Sequence, residues 1–248
     1  MKVYFILPAY NEGSGIRLQL RALEKIMKEK RLEFEIVIIN DGSLDETEQE
    51  AALLKPDLNI HIIRHPVNLG PGRAFKSGYN YVYTKITDDD VVITMDCDNT
   101  QNLKTVTFML NKIEEGYEVI VGSIFTPGGM GIGIPFFRLL MTFAANWIYR
   151  ILFPIRGITD YTAFYRAVRG SALKMAYDKF GERLIESKGF SCMAEMLLKF
   201  RQIPLFMTEV PMMVRYDLKT SKSKLKIIPT IREHLLSIAK NFFKRSLI

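Results

Sequence analysis

Two aspartates separated by one residue, Asp96-Cys97-Asp98, close an apolar, β-branched run that starts at Val91. If that run is a strand ending in a turn, both carboxylates can converge on one hard cation. Oxygen ligation of this kind suits Mg2+ or Mn2+, with water and phosphate oxygens completing the shell. The chemistry that needs such an ion is the departure of a nucleoside diphosphate, whose growing negative charge a divalent cation neutralises. Asp-x-Asp alone describes a solvated turn equally well, so its neighbours decide. Asn40-Asp41-Gly42-Ser43 follows a second apolar run, and a carboxylate at that place can accept a base N–H or a ribose hydroxyl. A turn in which Ser43 or Asp45 caps the next helix explains the same residues without a ligand. Gly70 and Gly72 let backbone approach a ligand closely, and a helix opening near Arg73 directs its positive end there. The glycine pair matches neither the Walker nor the Rossmann pattern.

The elements that must position these groups are legible as alternation. Short strand-like runs at Lys2–Leu7, Glu35–Asn40, Asn59–Arg64, Val91–Asp96 and Glu118–Ser123 alternate with amphipathic stretches near 14–30, 45–54, 73–85 and 102–115. This predicts βαβ units on a mostly parallel sheet covered by helices on both faces. Ligands of such sheets bind outside the carboxyl ends of the strands, where Pro8-Ala9-Tyr10-Asn11-Glu12, the Asp41 turn, Asn68 to Gly72 and the Asp96 pair all fall. Cys97 is expected to fill space inside the sheet. Beyond Pro127 come a glycine-rich loop, an apolar helical stretch to about Phe153 and mixed segments to Arg215. There is no repeat or low-complexity linker, so one domain is expected over 1–226, followed by a basic amphipathic tail over 227–248.

In order and spacing, Pro8 to Glu12, Asn40-Asp41-Gly42-Ser43, Asn68-x-Gly70-x-Gly72, Asp96-x-Asp98 and Val121-Gly122-Ser123 resemble glycosyltransferase family 2. Within it the chain looks most like the dolichol-phosphate mannose synthase group of polyprenyl-phosphate sugar transferases. The resemblance continues through Arg138, Asp160-Tyr161-Thr162, Arg166, Glu209-Val210-Pro211, Arg215 and Ser223-Lys224. It implies a GT-A fold and an inverting, metal-dependent transfer of a hexose such as mannose or glucose. The donor is a nucleoside-diphosphate sugar and the acceptor a polyprenyl phosphate. Pro8, Tyr10, Glu12, Asn40, Asp41, Gly70, Gly72 and Asp96 are then expected to hold the nucleotide sugar, and Asp96 and Asp98 the Mg2+ or Mn2+. Arg138 and Lys224 are expected at the phosphates of donor or acceptor, and with Asp98 they make the catalytic set. Three positions depart from the family: Ile124 stands where arginine is common after Gly-Ser, Ala163-Phe164-Tyr165 replaces Ser-Gly-Phe, and Asn40 replaces an aspartate.

An ionised phosphate acceptor needs no general base. A saccharide hydroxyl does, and Glu195 or Glu209 is then the candidate. A different class of reading is a partner protein that keeps the fold and binds nucleotide or a membrane complex without catalysis; the intact Asp96 and Asp98 oppose it. The net charge of +7 resides in the tail: from Arg215 onward nine Lys/Arg face two acids, and residues 1–214 are balanced. A basicity confined to one end fits an anionic membrane surface, a membrane-bound partner or phosphate rather than nucleic acid. The apolar segment Leu139–Tyr149, flanked by Arg138 and Arg150, is too short to span a bilayer but can lie on one, with Phe136, Phe137, Phe143 and Trp147 recurring at roughly helical spacing. Core packing explains the same spacing. Two cysteines without ligand spacing point to a reducing compartment, hence a cytoplasmic protein peripheral to the membrane. His61, His65 and His234 share no ligand spacing and are expected to be ordinary strand or surface residues.

Overall fold

A computed structural model describes residues 1–219 and 227–245. The expected alternation appears as β1 (Lys2–Ala9), α1 (Gly13–Lys30), β2 (Glu33–Asn40), α2 (Thr47–Ala52), β3 (Ile60–Arg64), α3 (Pro71–Tyr83), β4 (Val91–Thr94), α4 (Lys104–Glu114) and β5 (Val119–Ser123). The second half adds β6 (Met130–Ile132), α5 (Phe136–Leu152), β7 (Arg166–Arg169), α6 (Gly170–Phe180), α7 (Cys192–Phe200), β8 (Met207–Pro211), β9 (Met213–Arg215) and α8 (Ile227–Arg245).

Seven strands form one sheet in the order β3-β2-β1-β4-β7-β5-β8, parallel except for β7. Successive strand residues point to opposite faces, and both faces are covered. Phe5, Leu7, Ile36 and Ile38 meet Ile16, Leu20 and Leu23 of α1 and Val106 and Met109 of α4. Ile6, Val37 and Ile39 meet Phe75, Tyr79 and Val82 of α3 and the buried residues of α6 and α7. Cys97 is buried in the first of these cores, as its expected space-filling role requires.

The antiparallel β7 has no periodic signature. It is four residues long and opens on Arg166, whose side chain is wholly buried. The guanidinium donates to the carbonyls of Met193 (2.5 Å) and Tyr161 (2.7 Å), tying β7 to α7, and burial lowers its pKa to about 10. A second, two-stranded sheet pairs β6 with β9, so the glycine-rich loop after β5 is stitched to the chain leaving β8.

α5 buries only Asn146 and Tyr149. Phe136, Phe137 and Trp147 are 77%, 65% and 57% exposed. α8 lies near it, with His234 Nδ1 3.0 Å from the Tyr149 hydroxyl, and it leaves Ile228, Leu235, Leu236 and Phe242 exposed. His234 is therefore a packing residue. α8 is further tied down by the ion pair of Lys240 with Glu186 (3.0 Å), and its Glu233 packs a carboxylate against Gly189 ahead of α7. No described helix is long and apolar enough to cross a membrane.

Candidate active site

The carboxyl ends of β1, β2 and β4 bring the expected residues onto one rim, held by side chains that cross between loops. Asn11 bends the chain after β1 in the left-handed region, φ 54°. Its backbone N–H donates to Ser43 Oγ (3.0 Å), and its side-chain oxygen accepts the N–H of Leu44 (2.8 Å). Next to it the N–H of Glu12 donates to Thr47 Oγ1 (2.8 Å), and that of Gly13 to Asp45 (3.0 Å). The loops after β1 and β2 are thus one unit. Pro8 is the penultimate residue of β1 and lies beside Ile39 of β2; Tyr10 is half-buried at the strand exit; Glu12 is buried. Asn40 closes an Asx turn by accepting the N–H of Ser43 (2.9 Å) while its amide donates to Glu48 (2.8 Å).

Asp41 organises the glycine loop. Its two oxygens accept the N–H groups of Leu69 and Gly70, both at 2.9 Å, and Oδ1 lies 2.6 Å from His65 Nδ1. His65 is buried, and its other ring nitrogen is 2.9 Å from Ser77 Oγ. This corrects the expectation that His65 is an ordinary strand or surface residue: it is buried and braces the Asp41 carboxylate. Gly70 and Gly72 do permit a close approach, but the backbone that approaches them is the chain's own. The Gly72 N–H donates to Lys188 O (2.9 Å), and a Cβ on Gly72 would stand 2.0 Å from Ser187 O.

After β4 the chain turns through Asn99, φ 60°, whose amide donates to Gly15 O (2.9 Å). Gln101 clasps Asp96, accepting its N–H (3.0 Å) and donating to Oδ2 (2.9 Å), and Gln19 donates to the Asp96 carbonyl (2.6 Å). Asp98 Oδ1 accepts the hydroxyl (2.6 Å) and N–H (3.2 Å) of Thr100, and Oδ2 pairs with the ammonium of Lys219. Burial, then the adjacent charge of Asp98, raise the pKa of Asp96, against the pull of Lys219 and Arg138. Burial also pushes on Asp98, but Lys219 and Thr100 outweigh it and hold that carboxyl below its ordinary range.

Arg138, on the first turn of α5, places its guanidinium carbon 5.2 Å from the Tyr216 ring, and Lys219 Nζ is 5.7 Å from the same ring. Two cations thus flank one aromatic beside two carboxylates. Lys224 lies outside the described residues. Sequence reasoning missed Lys219, Tyr216, Gln19 and Gln101. Lys219 is one of nine cations after residue 214 and has no local signal, whereas Gln101, three residues past Asp98, could have been read as a second polar group on the same turn.

Hard carboxylate oxygens at a strand end, crowded enough to raise one pKa, fit a divalent cation whose remaining ligands are water and phosphate. No group of three or more Asp, Glu, His or Cys side chains that could hold a metal occurs among the described residues.

The mostly parallel sheet flanked by helices is a GT-A-like fold. Residues 4–174 match the description "Glycosyl transferase family 2", and the chain belongs to that family. Glycosyl transfer is its chemistry. It is 27% identical over 239 residues to the polyprenol monophosphomannose synthase of Mycolicibacterium smegmatis, covering 95% of this chain and 84% of that one. It is 28% identical over 200 residues to the dolichol-phosphate mannosyltransferase of Pyrococcus furiosus, covering 80% of this chain but only 53% of that longer protein. Its fold is similar to that of glucosyl-3-phosphoglycerate synthase from Mycobacterium tuberculosis, solved with Mn2+, UDP and phosphoglyceric acid. The TM-score is 0.67 at 16% identity, over 97% of this chain and 78% of that one. The same enzyme with Mg2+ and UDP gives a TM-score of 0.65 over 97% and 79%.

Proposed function

We propose that this chain is an inverting hexosyltransferase that moves mannose or glucose from a nucleoside-diphosphate sugar to a polyprenyl phosphate at an anionic membrane surface, using Mg2+ or Mn2+. Its similarity to the two mannosyl transferases supports that acceptor class. The observation that carries the reading is the state of the two carboxylates that a hydroxyl acceptor would require as a base. Glu209 accepts the N–H groups of Thr159 (2.5 Å) and Asp160 (2.6 Å) and the Thr159 hydroxyl (2.6 Å). Glu195 is buried, pairs with Lys199 (2.8 Å) and accepts the N–H groups of Glu186 and Ser187. Both are committed to holding backbone, whereas cations stand beside Asp96 and Asp98. A phosphate acceptor is already ionised and asks only for positive charge and positioning.

In this reading Asp96 and Asp98 hold the metal, which neutralises charge on the departing diphosphate. Arg138 engages phosphate, and the pocket of Pro8, Tyr10, Glu12, Asn40 and Asp41 holds the nucleoside and its sugar, while Gly70 and Gly72 admit the backbone of Ser187 and Lys188. Lys224 is assigned to the same phosphates. The exposed apolar residues of α5 and α8 rest on the bilayer, and the basic tail adds attraction to anionic headgroups, about 1 kcal/mol per cation near the surface. The test is radiolabelled transfer from GDP-mannose and UDP-glucose to a short-chain polyprenyl phosphate with Mn2+, before and after chelation. A metal-dependent β-linked product from an α-linked donor is expected. Transfer only to saccharide hydroxyls, or nucleotide binding without turnover, would overturn the reading.

A further inference from the structure

Both oxygens of Asp98 are engaged by the chain, and the two partners differ in kind. Thr100, on the same turn, takes Oδ1; Lys219, which is distant in sequence, takes Oδ2. Lys219 is placed rather than loosely tethered. The Arg215 N–H at the end of β9 donates to Thr100 O (2.7 Å), so the strand leading to Lys219 is pinned to the turn that it neutralises. A short 3-10 turn, Tyr216–Leu218, follows, and the Lys219 N–H donates to Tyr216 O (3.2 Å). The Lys219 and Asp98 side chains are only 13% and 11% exposed.

A divalent cation bound by Asp98 through Oδ2 would compete with the ammonium for the same oxygen. Charge decides when the exchange is favourable. Lys219 and Arg138 offset two of the three carboxylates gathered here, Asp96, Asp98 and Glu12, so a doubly charged ion overshoots the remaining one, and charges in a buried site interact several times more strongly than in bulk water. Metal arriving alone therefore creates an excess of positive charge. Metal arriving with a diphosphate removes that excess and offers Lys219 new oxygens.

We propose that Lys219 is a tethered stand-in for the metal: it holds Asp98, yields Oδ2 when donor and metal arrive together, and turns to the diphosphate. Metal and nucleotide binding thereby become mutually dependent. The inference rests on the metal-dependent reading above and assigns Lys219 a gating role within it.

Mn2+ binding to the full chain, followed by electron paramagnetic resonance without nucleotide, tests the competition directly. Lys219→Met is expected to bind Mn2+ alone about tenfold more tightly than the unaltered protein, within the usual range of coupling between two sites. Calorimetry with GDP and with UDP in the presence of Mn2+ should show weaker nucleotide binding in the same variant. The enhancement of each ligand by the other should shrink equally from both directions. Lys219→Arg, which keeps the charge, should preserve the coupling, and Lys219→Gln replaces the methionine variant if that one fails to fold. Equal or weaker Mn2+ affinity in a folded neutral variant overturns this proposal alone. No Mn2+ binding by any form with either diphosphate overturns the metal-dependent reading along with it.

Discussion

Around Asp96 and Asp98 the side chains are held by Gln101 and Thr100 on the same turn and by Lys219 from a distant one, whereas along α5 only Asn146 and Tyr149 are buried in a helix that otherwise displays phenylalanine, leucine and tryptophan. The first arrangement finds its hydrogen-bond and charge partners within the chain. The second leaves apolar area that a soluble surface has no use for, and it gains stability only against something apolar. The two regions meet at Arg138, which opens α5 and faces Tyr216.

The contrast breaks most sharply at Asp98. Asp98→Ala is expected to lower transfer at least a hundredfold, about 2.7 kcal/mol, with an unchanged circular dichroism spectrum. Near-normal turnover would remove the metal role. On the other region, Phe137→Asp with Trp147→Asp should reduce flotation with acidic liposomes more than tenfold, since burying each aromatic contributes roughly 1.5–3 kcal/mol. Donor binding should stay unaltered. Unchanged flotation would return α5 to the role of an ordinary helix. At the junction, Arg138→Ala should cut turnover about tenfold, or ~1.4 kcal/mol, and change nucleotide affinity much less. Parallel losses in both would make it a donor-binding residue only.

Two smaller effects sharpen the difference. Glu209→Gln should cost about 1–3 kcal/mol of stability through backbone N–H groups left less well satisfied, seen as a lower melting temperature, while folded enzyme keeps most of its turnover. A stable variant without turnover would favour a hydroxyl acceptor. The mildest effect concerns pH. Burial lowers the pKa of His234 from 6.5 to about 4. Between those values the unfolded chain binds the proton and the folded chain does not, so the stability from seating a neutral His234 is full above about pH 6.5 and falls as the pH drops toward 4. His234→Gln should flatten the melting temperature over that window; an identical slope in both proteins would remove His234 as its source.

The donor half was legible because each strand there is a continuous apolar run and each functional loop begins where the run stops. Asp41 and Asp96 could be placed by counting. The second half resisted because its elements are defined by distant partners. β7 exists because Arg166 satisfies carbonyls of Met193 and Tyr161, and α7 is buried along its whole length, so neither has a two-faced pattern. Lys219 was invisible for the same reason. The pairing of β6 with β9, the bridge between Gln101 and Val214 and the bond from Arg215 to Thr100 bring it to Asp98. His65 was dismissed because ligand spacing was sought, whereas its role depends on a single carboxylate.

The contact of Gly72 with Ser187 and Lys188 bears on how the protein comes off the ribosome. β1 to β4 and the loop held by Asp41 emerge early, but the carbonyl that receives the Gly72 N–H belongs to a segment translated much later, just ahead of α7. Until that segment arrives, Gly70 and Gly72 lack the backbone partners they have in the folded chain. That contact is thus completed late in synthesis, after α5 and shortly before α7 is made.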